Sequence, residues 1–182
     1  LMIITLIAIV IAPVIILLFA WGFYFKADAT QFDLASDMLR ITFPYLLLIS
    51  LTALSGSILN TYDNFIIPAF TPVLLNISLI LSAVFLSKFL STPIMALAWG
   101  VLIGGIAQLG FQIPFLRKIK RLPKLQFGPH KSLLILRKRM LPALFGVSVS
   151  QINLLVDTMI ASTLIAGSVS WLYYSDRLLE LP

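Results

Sequence analysis

The sequence predicts an all-α, polytopic membrane protein, and three observations support that fold class. Of the 182 residues, 60% are hydrophobic and 11% are charged, and the mean hydropathy is +1.05. A soluble domain carries about 25% charged residues, so this chain has too few polar side chains to cover a water-exposed surface. Uncharged runs that match the roughly 20 apolar residues of a transmembrane helix recur along the whole chain.

Five apolar runs are the predicted transmembrane segments. In chain order they cover Met2 to Phe25, Ile41 to Tyr62, Asn64 to Ser87, Phe89 to Leu116 and, with Asp157 as an interruption, Met140 to Ser175. A secretory signal peptide does not explain them, because its apolar core is short and occurs once. A turn near Gly167 would divide the last run, which leaves about five helices and the start of a sixth. Since the chain opens inside an apolar run and stops at Pro182 as a helix begins, we expect a fragment of a longer protein.

Positive charge is concentrated in one segment, and this orients the predicted spans. Nine of the 13 Lys and Arg residues lie between Arg117 and Arg139, where no acidic residue occurs. In a membrane protein such a cluster marks the cytoplasmic side, so the first, third and fifth spans run outward and the other two run inward. The aromatic clusters around Trp21 and Trp171 then fall at the outer interface, which such rings favour. The same placement argues against nucleic acid as a partner.

Within the basic segment, residues 131–140 allow two interpretations. Leu133, Leu136 and Met140 have helical spacing beside Arg137, a pattern typical of a short interfacial helix lying on the inner leaflet. A solvated loop whose charges only set the topology fits the sequence equally well.

The fourth span carries small and amide side chains at a regular interval. Gly100, Gly104, Gln108 and Gln112 follow one another at intervals of four residues and therefore share one helix face. Small residues let a neighbouring helix approach closely, and buried amides supply interhelical hydrogen bonds. The pattern favours helix packing over the alternative, a surface that lines a substrate path.

No catalytic constellation occurs in the sequence, so an enzyme is not expected. The single histidine, His130, lies in the basic segment without a nearby carboxylate or nucleophile, and glycine-rich phosphate loops and histidine–carboxylate metal clusters are absent. Cysteine is absent too, which excludes a disulfide framework and a thiolate metal site from this chain.

The fifth span departs from the apolar pattern. Gly146, Ser150, Asn153, Asp157 and Ala161 form a small and polar stripe on one helix face. An ionised carboxylate at mid-membrane costs roughly 2.5–3.5 kcal/mol, so Asp157 must be protonated, paired with a cation or exposed to water. Oxygen ligands of this kind suit sodium, with Asp157 and Asn153 as candidate ligands and other helices completing the shell. A structural ion pair is the alternative.

Arg177 is the obvious ion-pair partner for Asp157. Both lie ten residues from Gly167, which places them about 15 Å below the predicted turn. Equal depth permits a contact without establishing that the two faces meet. Asp176, Arg177 and Glu180 also form a charged cluster at helical spacing. This cluster is either a self-neutralised helix entrance or a substrate site whose guanidinium binds an anionic phosphate bidentately.

Three segments of the chain, residues 64–76, 146–151 and 167–182, resemble the MurJ (MviN) family of lipid II flippases, within the multidrug/oligosaccharidyl-lipid/polysaccharide exporter superfamily. Residues 64–76, NFIIPAFTPVLLN, are similar to the entrance of the family's fifth transmembrane helix. Residues 146–151, GVSVSQ, and 167–182, GSVSWLYYSDRLLELP, resemble its helices seven and eight. The resemblance extends over essentially the whole chain and implies family helices three to seven and the start of eight.

The resemblance implies a two-lobe, alternating-access transporter of the bacterial cytoplasmic (inner) membrane. Residues 1–116 would belong to the N-lobe, 117–139 to a cytoplasmic basic linker, and 140–182 to the start of the C-lobe. The implied partners are lipid II (undecaprenyl-pyrophosphate-linked disaccharide-pentapeptide), membrane lipids and other cell-wall synthesis proteins. The implied activity is the transfer of lipid II from the inner to the outer leaflet.

The resemblance also assigns roles to the candidate site residues. Arg177, beside Asp176 and Glu180, matches an arginine of the family's cationic cavity that engages the pyrophosphate. Asp157 matches a position that is aspartate in some members, where it helps to bind sodium (Na+), and asparagine in others. Sodium is therefore the candidate coupling ion, and no other cofactor is expected. The alternatives are an exporter of another polyprenyl-linked glycan and a cation-coupled drug antiporter on the same scaffold.

Overall fold

The computed structural model describes residues 2–19, 29–123, 131–165 and 167–179 of the chain. Within these ranges the chain forms six α-helices and no strand, as the composition predicts. They are α1 (Met2–Phe19), α2 (Ala29–Thr61), α3 (Ile66–Val84), α4 (Met95–Lys118), α5 (Lys131–Thr163) and α6 (Ser168–Leu179), with a short 3-10 helix at Leu86–Lys88.

Five of these helical segments are long and apolar enough to cross a membrane, which confirms the predicted number. They are Met2–Phe19, Gln31–Thr61, Ile66–Lys88, Met95–Lys118 and Lys138–Thr163. Their outer faces are strongly apolar, since Ile66 is 82% exposed and Val10 is 77% exposed. Such surfaces are costly in water and cost nothing against lipid chains, so the bilayer is their natural solvent.

The second helix begins earlier than the apolar pattern predicts. Residues 29–40, which precede the second predicted span, form the first three turns of α2, and Arg40 Nη1 lies 3.1 Å from Asp37 Oδ1. The 33 residues of α2 extend over about 50 Å and exceed the roughly 30 Å of the hydrocarbon core. Charged pairs at this spacing are compatible with a helix that continues beyond the bilayer. The predicted aromatic cluster around Trp21 lies outside the described residues.

Residues 131–140 are helical, and they continue without a break into the fifth span as part of α5. A separate helix is not formed because no helix-terminating residue separates the basic turns from the apolar ones. Pro142 removes one backbone donor, and the helix continues through it. Contact of residues 131–140 with the inner leaflet stays a prediction, and His130 lies outside the described residues.

The chain divides into two compact units. The first contains residues 1–12 and 35–124, and the second contains residues 13–34 and 125–182. In the second unit, α5 and α6 form an antiparallel hairpin around Gly167, whose φ is +97°. This backbone conformation favours glycine, so the predicted turn is confirmed at that residue.

In the first unit, the small-residue face of α4 packs against α3. A Cβ on Gly104 would lie 2.7 Å from Leu75 Cδ1, and one on Gly100 would lie 2.9 Å from Ser82 Cβ. The close approach lets Ser78 Oγ donate a hydrogen bond to the backbone oxygen of Gly100 at 2.8 Å. The helix-packing interpretation of this stripe is therefore confirmed.

Candidate functional site

A cavity of about 460 Å³ lies between α5 and α6, and Asp157 is part of its lining. We call it the Asp157 cavity, and its lining comprises Asp157, Ile160, Ala161, Leu164, Ser168, Trp171, Leu172 and Ser175. Asp157 is its one charged member, and the remaining side chains are apolar or carry hydroxyl groups. A carboxylate in such a lining creates a strong local demand for a cation or for water.

Helical spacing on both sides of Gly167 explains this set of residues. On α5, Asp157, Ala161 and Leu164 recur at intervals of four and three residues. On α6, Ser168, Trp171 and Ser175 recur at intervals of three and four, so each helix presents one face to the other. Because the helices are antiparallel, the far ends of these faces meet, and Asp157 and Ser175 line the same cavity.

The hydroxyl of Ser168 has its proton directed away from a prospective cation. Ser168 Oγ donates a hydrogen bond to the backbone oxygen of Ile165 at 2.9 Å. Its lone pairs are then the part of the group that can face an ion or a donor. The Asp157 cavity thus combines a carboxylate with hydroxyl oxygens, which are ligands of the hard kind that alkali ions prefer.

The other predicted sodium ligand, Asn153, lies one turn before Asp157 on α5. Its side chain is exposed and does not contribute to the lining of the Asp157 cavity. The side chain of Ser150, the third polar member of the predicted stripe, lies outside the described residues. Asp157 is exposed as well, so the two residues differ in that Asp157 lines the cavity and Asn153 does not.

Arg177 lies on a different face of α6 from the one that lines the Asp157 cavity. It follows Ser175 by two residues, which rotates its side chain by about 200° around the helix. There Arg177 Nε donates a hydrogen bond to Tyr173 Oη at 3.2 Å, and the guanidinium carbon lies 5.4 Å from the Tyr173 ring centroid. Tyr173 also makes an edge contact with Tyr174, with ring centroids 6.0 Å apart.

The predicted partnership between Asp157 and Arg177 is not formed within the described part of the chain. There, Arg40 Nη1 forms a salt bridge with Asp37 Oδ1 at 3.1 Å, and Asp157 forms none. The Gly167 turn gives the two residues equal depth. However, Asp157 lies on the face of α5 that lines the cavity, whereas Arg177 lies outside the face of α6 that lines it. Asp176 is half-buried next to Arg177, and Glu180 lies outside the described residues.

The sequence did not predict that Ser168, Trp171 and Ser175 line the same cavity as Asp157. Trp171 was predicted only as a residue of the outer aromatic cluster, and the serines carried no separate signal. Their three- and four-residue spacing after Gly167 was the available signal, because it defines the α6 face that must meet α5. Among the described residues, no three His, Cys, Asp or Glu side chains come together, so a carboxylate-rich site for a multivalent metal is not found there.

These features define the class of the protein. Membrane-length helices, a tightly packed first unit and a cavity with a carboxylate residue in its lining are those of a multi-pass α-helical membrane protein. The family follows from comparison with known proteins. The family model described as "Lipid II flippase MurJ" matches residues 1–182, and the chain belongs to this family.

Individual relatives agree with the family match. The chain is 48% identical over 186 residues to "Probable lipid II flippase MurJ" of Haemophilus influenzae, covering 99% of this chain and 36% of the relative. It is 49% identical to the protein of the same description from Vibrio cholerae, covering 99% of this chain and 35% of the relative. It is 45% identical to "Lipid II flippase MurJ" of Burkholderia cenocepacia, covering 86% of this chain and 31% of the relative. The chain thus spans about a third of the length of the curated relatives it matches.

Proposed function

We propose that the protein containing this chain moves lipid II from the inner to the outer leaflet of the cytoplasmic membrane by alternating access. The observation that carries this proposal is the family match over residues 1–182, together with relatives at 45–49% identity that bear the same description. Transport of this kind displaces the lipid without making or breaking a covalent bond in it. The chain contributes part of each of the two lobes.

Arg177 is the proposed contact for the pyrophosphate of the substrate. Its side chain is exposed on α6, and the bond from Nε to Tyr173 Oη orients the planar guanidinium relative to the helix. An arginine guanidinium matches two phosphate oxygens bidentately, which a lysine ammonium cannot do. Asp176 and Glu180 would moderate the positive charge, so that the anion is released after transfer.

Asp157 is the proposed ligand for a coupling sodium ion. Asp157 lines the Asp157 cavity together with Ser168 and Ser175, and Asn153 lies one turn away on α5. These oxygen donors fit the ligand chemistry of a hard monovalent ion. When bound, sodium would supply the positive charge that an ionised carboxylate needs inside the membrane, and this chain would supply the orientation of the oxygens.

Complementation of a flippase-depleted strain tests the proposal directly. The full-length gene should restore growth and should restore the accessibility of lipid II to a reagent outside the membrane. An empty vector is the negative control, and an established lipid II flippase is the positive control. Restored growth without restored lipid II accessibility, or no restoration by a protein that inserts normally, would contradict lipid II flipping. The second result is the one expected of an exporter of another glycan or of a drug antiporter.

A further inference from the structure

A second cavity, of about 250 Å³, lies among α2, α3 and α4 in the first unit. We call it the amide cavity. Its polar lining comprises Thr52, Ser57, Asn60, Thr71, Gln108 and Gln112. It lies toward the end of the unit where α2 ends, α3 begins and α4 ends. Arg117, Lys118, Lys120 and Arg121 are at that end, which the positive-inside rule assigns to the cytoplasm.

Three oxygen atoms in the amide cavity lack a hydrogen-bond partner. They are Thr52 Oγ1, Gln108 Oε1 and Gln112 Oε1, on side chains that are 3%, 2% and 1% exposed. A buried polar atom without a partner costs about 1–3 kcal/mol, and nearly all such atoms in folded proteins are satisfied. Three of them around one cavity indicate that the cavity holds hydrogen-bond donors.

The orientation of both glutamine amides follows from their other bonds. Gln108 Nε2 donates to the backbone oxygen of Thr71 at 3.2 Å, and Gln112 Nε2 donates to Thr71 Oγ1 at 2.9 Å. The Thr71 hydroxyl donates its own proton to the backbone oxygen of Ile67 at 3.1 Å. If either amide were reversed, its oxygen would face another acceptor. The bonds to Thr71 therefore fix the orientation of both amides and leave the two Oε1 atoms without a donor.

A proline adds a further acceptor to the same wall. Pro72 lies inside α3 and has no N–H, so it cannot complete the helical bond to the backbone oxygen of Pro68. Both prolines line the amide cavity. The wall therefore offers amide, hydroxyl and backbone oxygens, and each glutamine amide uses one of its two N–H groups in its bond to Thr71.

The charges around the amide cavity favour water over a cation as the occupant. No Asp, Glu, His or Cys is among the described residues of the lining, which therefore offer a cation no countercharge. The four basic residues at the same end, which lie in or directly after the last turn of α4, would repel it. A volume of about 250 Å³ accommodates several water molecules, since one water takes about 30 Å³ of liquid, and each water donates two hydrogen bonds.

We propose that the amide cavity is a water-binding inlet that reaches from the cytoplasmic end into the membrane-spanning part of the first unit. Thr52 lies nine residues before the end of α2, and Gln108 lies ten before the end of α4, which sets the depth at about 15 Å. Water donates to the three orphaned oxygens and holds α2, α3 and α4 apart at this level. Closer to the other end, α4 packs directly on α3 through Gly100 and Gly104.

Cysteine accessibility in the full-length protein tests the inlet. Thr52→Cys, in a protein with any other cysteines removed, is treated in inverted membrane vesicles with methanethiosulfonate ethylammonium. The control is Ser55→Cys, which is also buried on α2 and is closer to the end of the helix but does not line the amide cavity. We expect Thr52→Cys to react on the order of tenfold faster, because only a hydrated thiol ionises readily. Equal rates, or an unreactive Thr52→Cys, would overturn the proposal.

The isosteric variant Thr52→Val provides a second test that does not depend on labelling. If water donates to Thr52 Oγ1, removing the hydroxyl should lower the Tm of the full-length protein by about 1–2 °C. A higher Tm would mean that the hydroxyl was dry and unpaired, against the proposal. Both proteins are also measured with sodium replaced by choline. A choline effect that is present in the wild type and lost in Thr52→Val would assign a cation to the cavity and would likewise reject water.

Discussion

The small and polar stripes of α4 and α5 look alike in the sequence and differ in the structure. Each places small and polar residues at intervals of three or four on one helix face. On α4, Gln108 is buried, and a Cβ on Gly104 would lie 2.7 Å from Leu75 Cδ1. On α5, a Cβ on Gly146 would have no described atom within 4 Å, and Asp157 is exposed.

The difference shows that spacing identifies a shared face without identifying what covers it. The α4 face has two helices against it, α2 and α3, and its glutamines form bonds to Thr71. The α5 face meets α6 only around the Asp157 cavity, where a charged group has no ion-pair partner among the described residues. A stripe whose polar groups are bonded between helices stabilises the fold, whereas one that stays open is able to bind a ligand.

Among the variants of the two units, Arg177→Ala in the second unit should have the largest effect on transport activity. If the exposed guanidinium binds pyrophosphate, this variant should insert normally and fail to complement a flippase-depleted strain. Arg177→Lys should restore activity only in part, because lysine lacks the bidentate geometry. Tyr173→Phe keeps the ring and removes the hydroxyl that accepts from Nε, so it should fall between wild type and Arg177→Lys in lipid II accessibility. Full activity of Arg177→Ala would remove Arg177 from the mechanism.

A matched pair of glycine variants tests the contrast between the stripes by stability. Gly104→Val should destabilise the full-length protein by about 2 kcal/mol, since its side chain has no room beside Leu75 and Ser78. Gly146→Val should change the free energy of unfolding by no more than about 0.5 kcal/mol, because no described atom lies within 4 Å of a Cβ at this position. Thermal unfolding in detergent measures both. Equal losses would show that the α5 stripe is also a packing face in the whole protein.

Sodium dependence tests whether the open stripe binds an ion. At a sodium concentration ten times the dissociation constant, wild type should gain about 1.4 kcal/mol of stability relative to potassium. Asp157→Asn keeps the shape of the side chain and removes its charge, so it should fold and lose this gain. Asn153→Ala should reduce the gain only if the amide is a ligand. Indifference of the wild type to the exchange of sodium for potassium would reject the sodium site.

The smallest expected effect compares two serine hydroxyls. Ser78 bonds to α4 through the backbone oxygen of Gly100, whereas Ser148 bonds within its own helix to the backbone oxygen of Leu144 at 2.7 Å. Ser78→Ala should lower the free energy of unfolding by about 1 kcal/mol, because the buried backbone oxygen of Gly100 loses the hydrogen bond that joins the two helices. Ser148→Ala should be neutral within about 0.5 kcal/mol. A larger loss for Ser148→Ala would place that exposed hydroxyl in a contact with other parts of the protein.

Features that depend on local sequence were predicted correctly. The five membrane spans follow from apolar runs of sufficient length, and the α5–α6 turn follows from Gly167. The packing role of Gly100 and Gly104 follows because only small residues at helical spacing permit such close contact. In each case the responsible residues are neighbours along the chain or along one helix, where the spacing of 3.6 residues per turn already determines their arrangement.

Features that depend on which faces meet were decided by the tertiary structure. Gln108 and Gln112 bond to Thr71 across 37 and 41 residues of sequence, and these bonds direct two oxygens into the amide cavity. Asp157 and Arg177 have the depth that their distance from Gly167 predicts, yet α6 presents Ser175 to α5 and directs Arg177 elsewhere. Sequence determines which residues share a helix face and at what depth they lie. The rotation of each helix against its neighbours depends on the packing of all the side chains between them, and only the folded chain determines it.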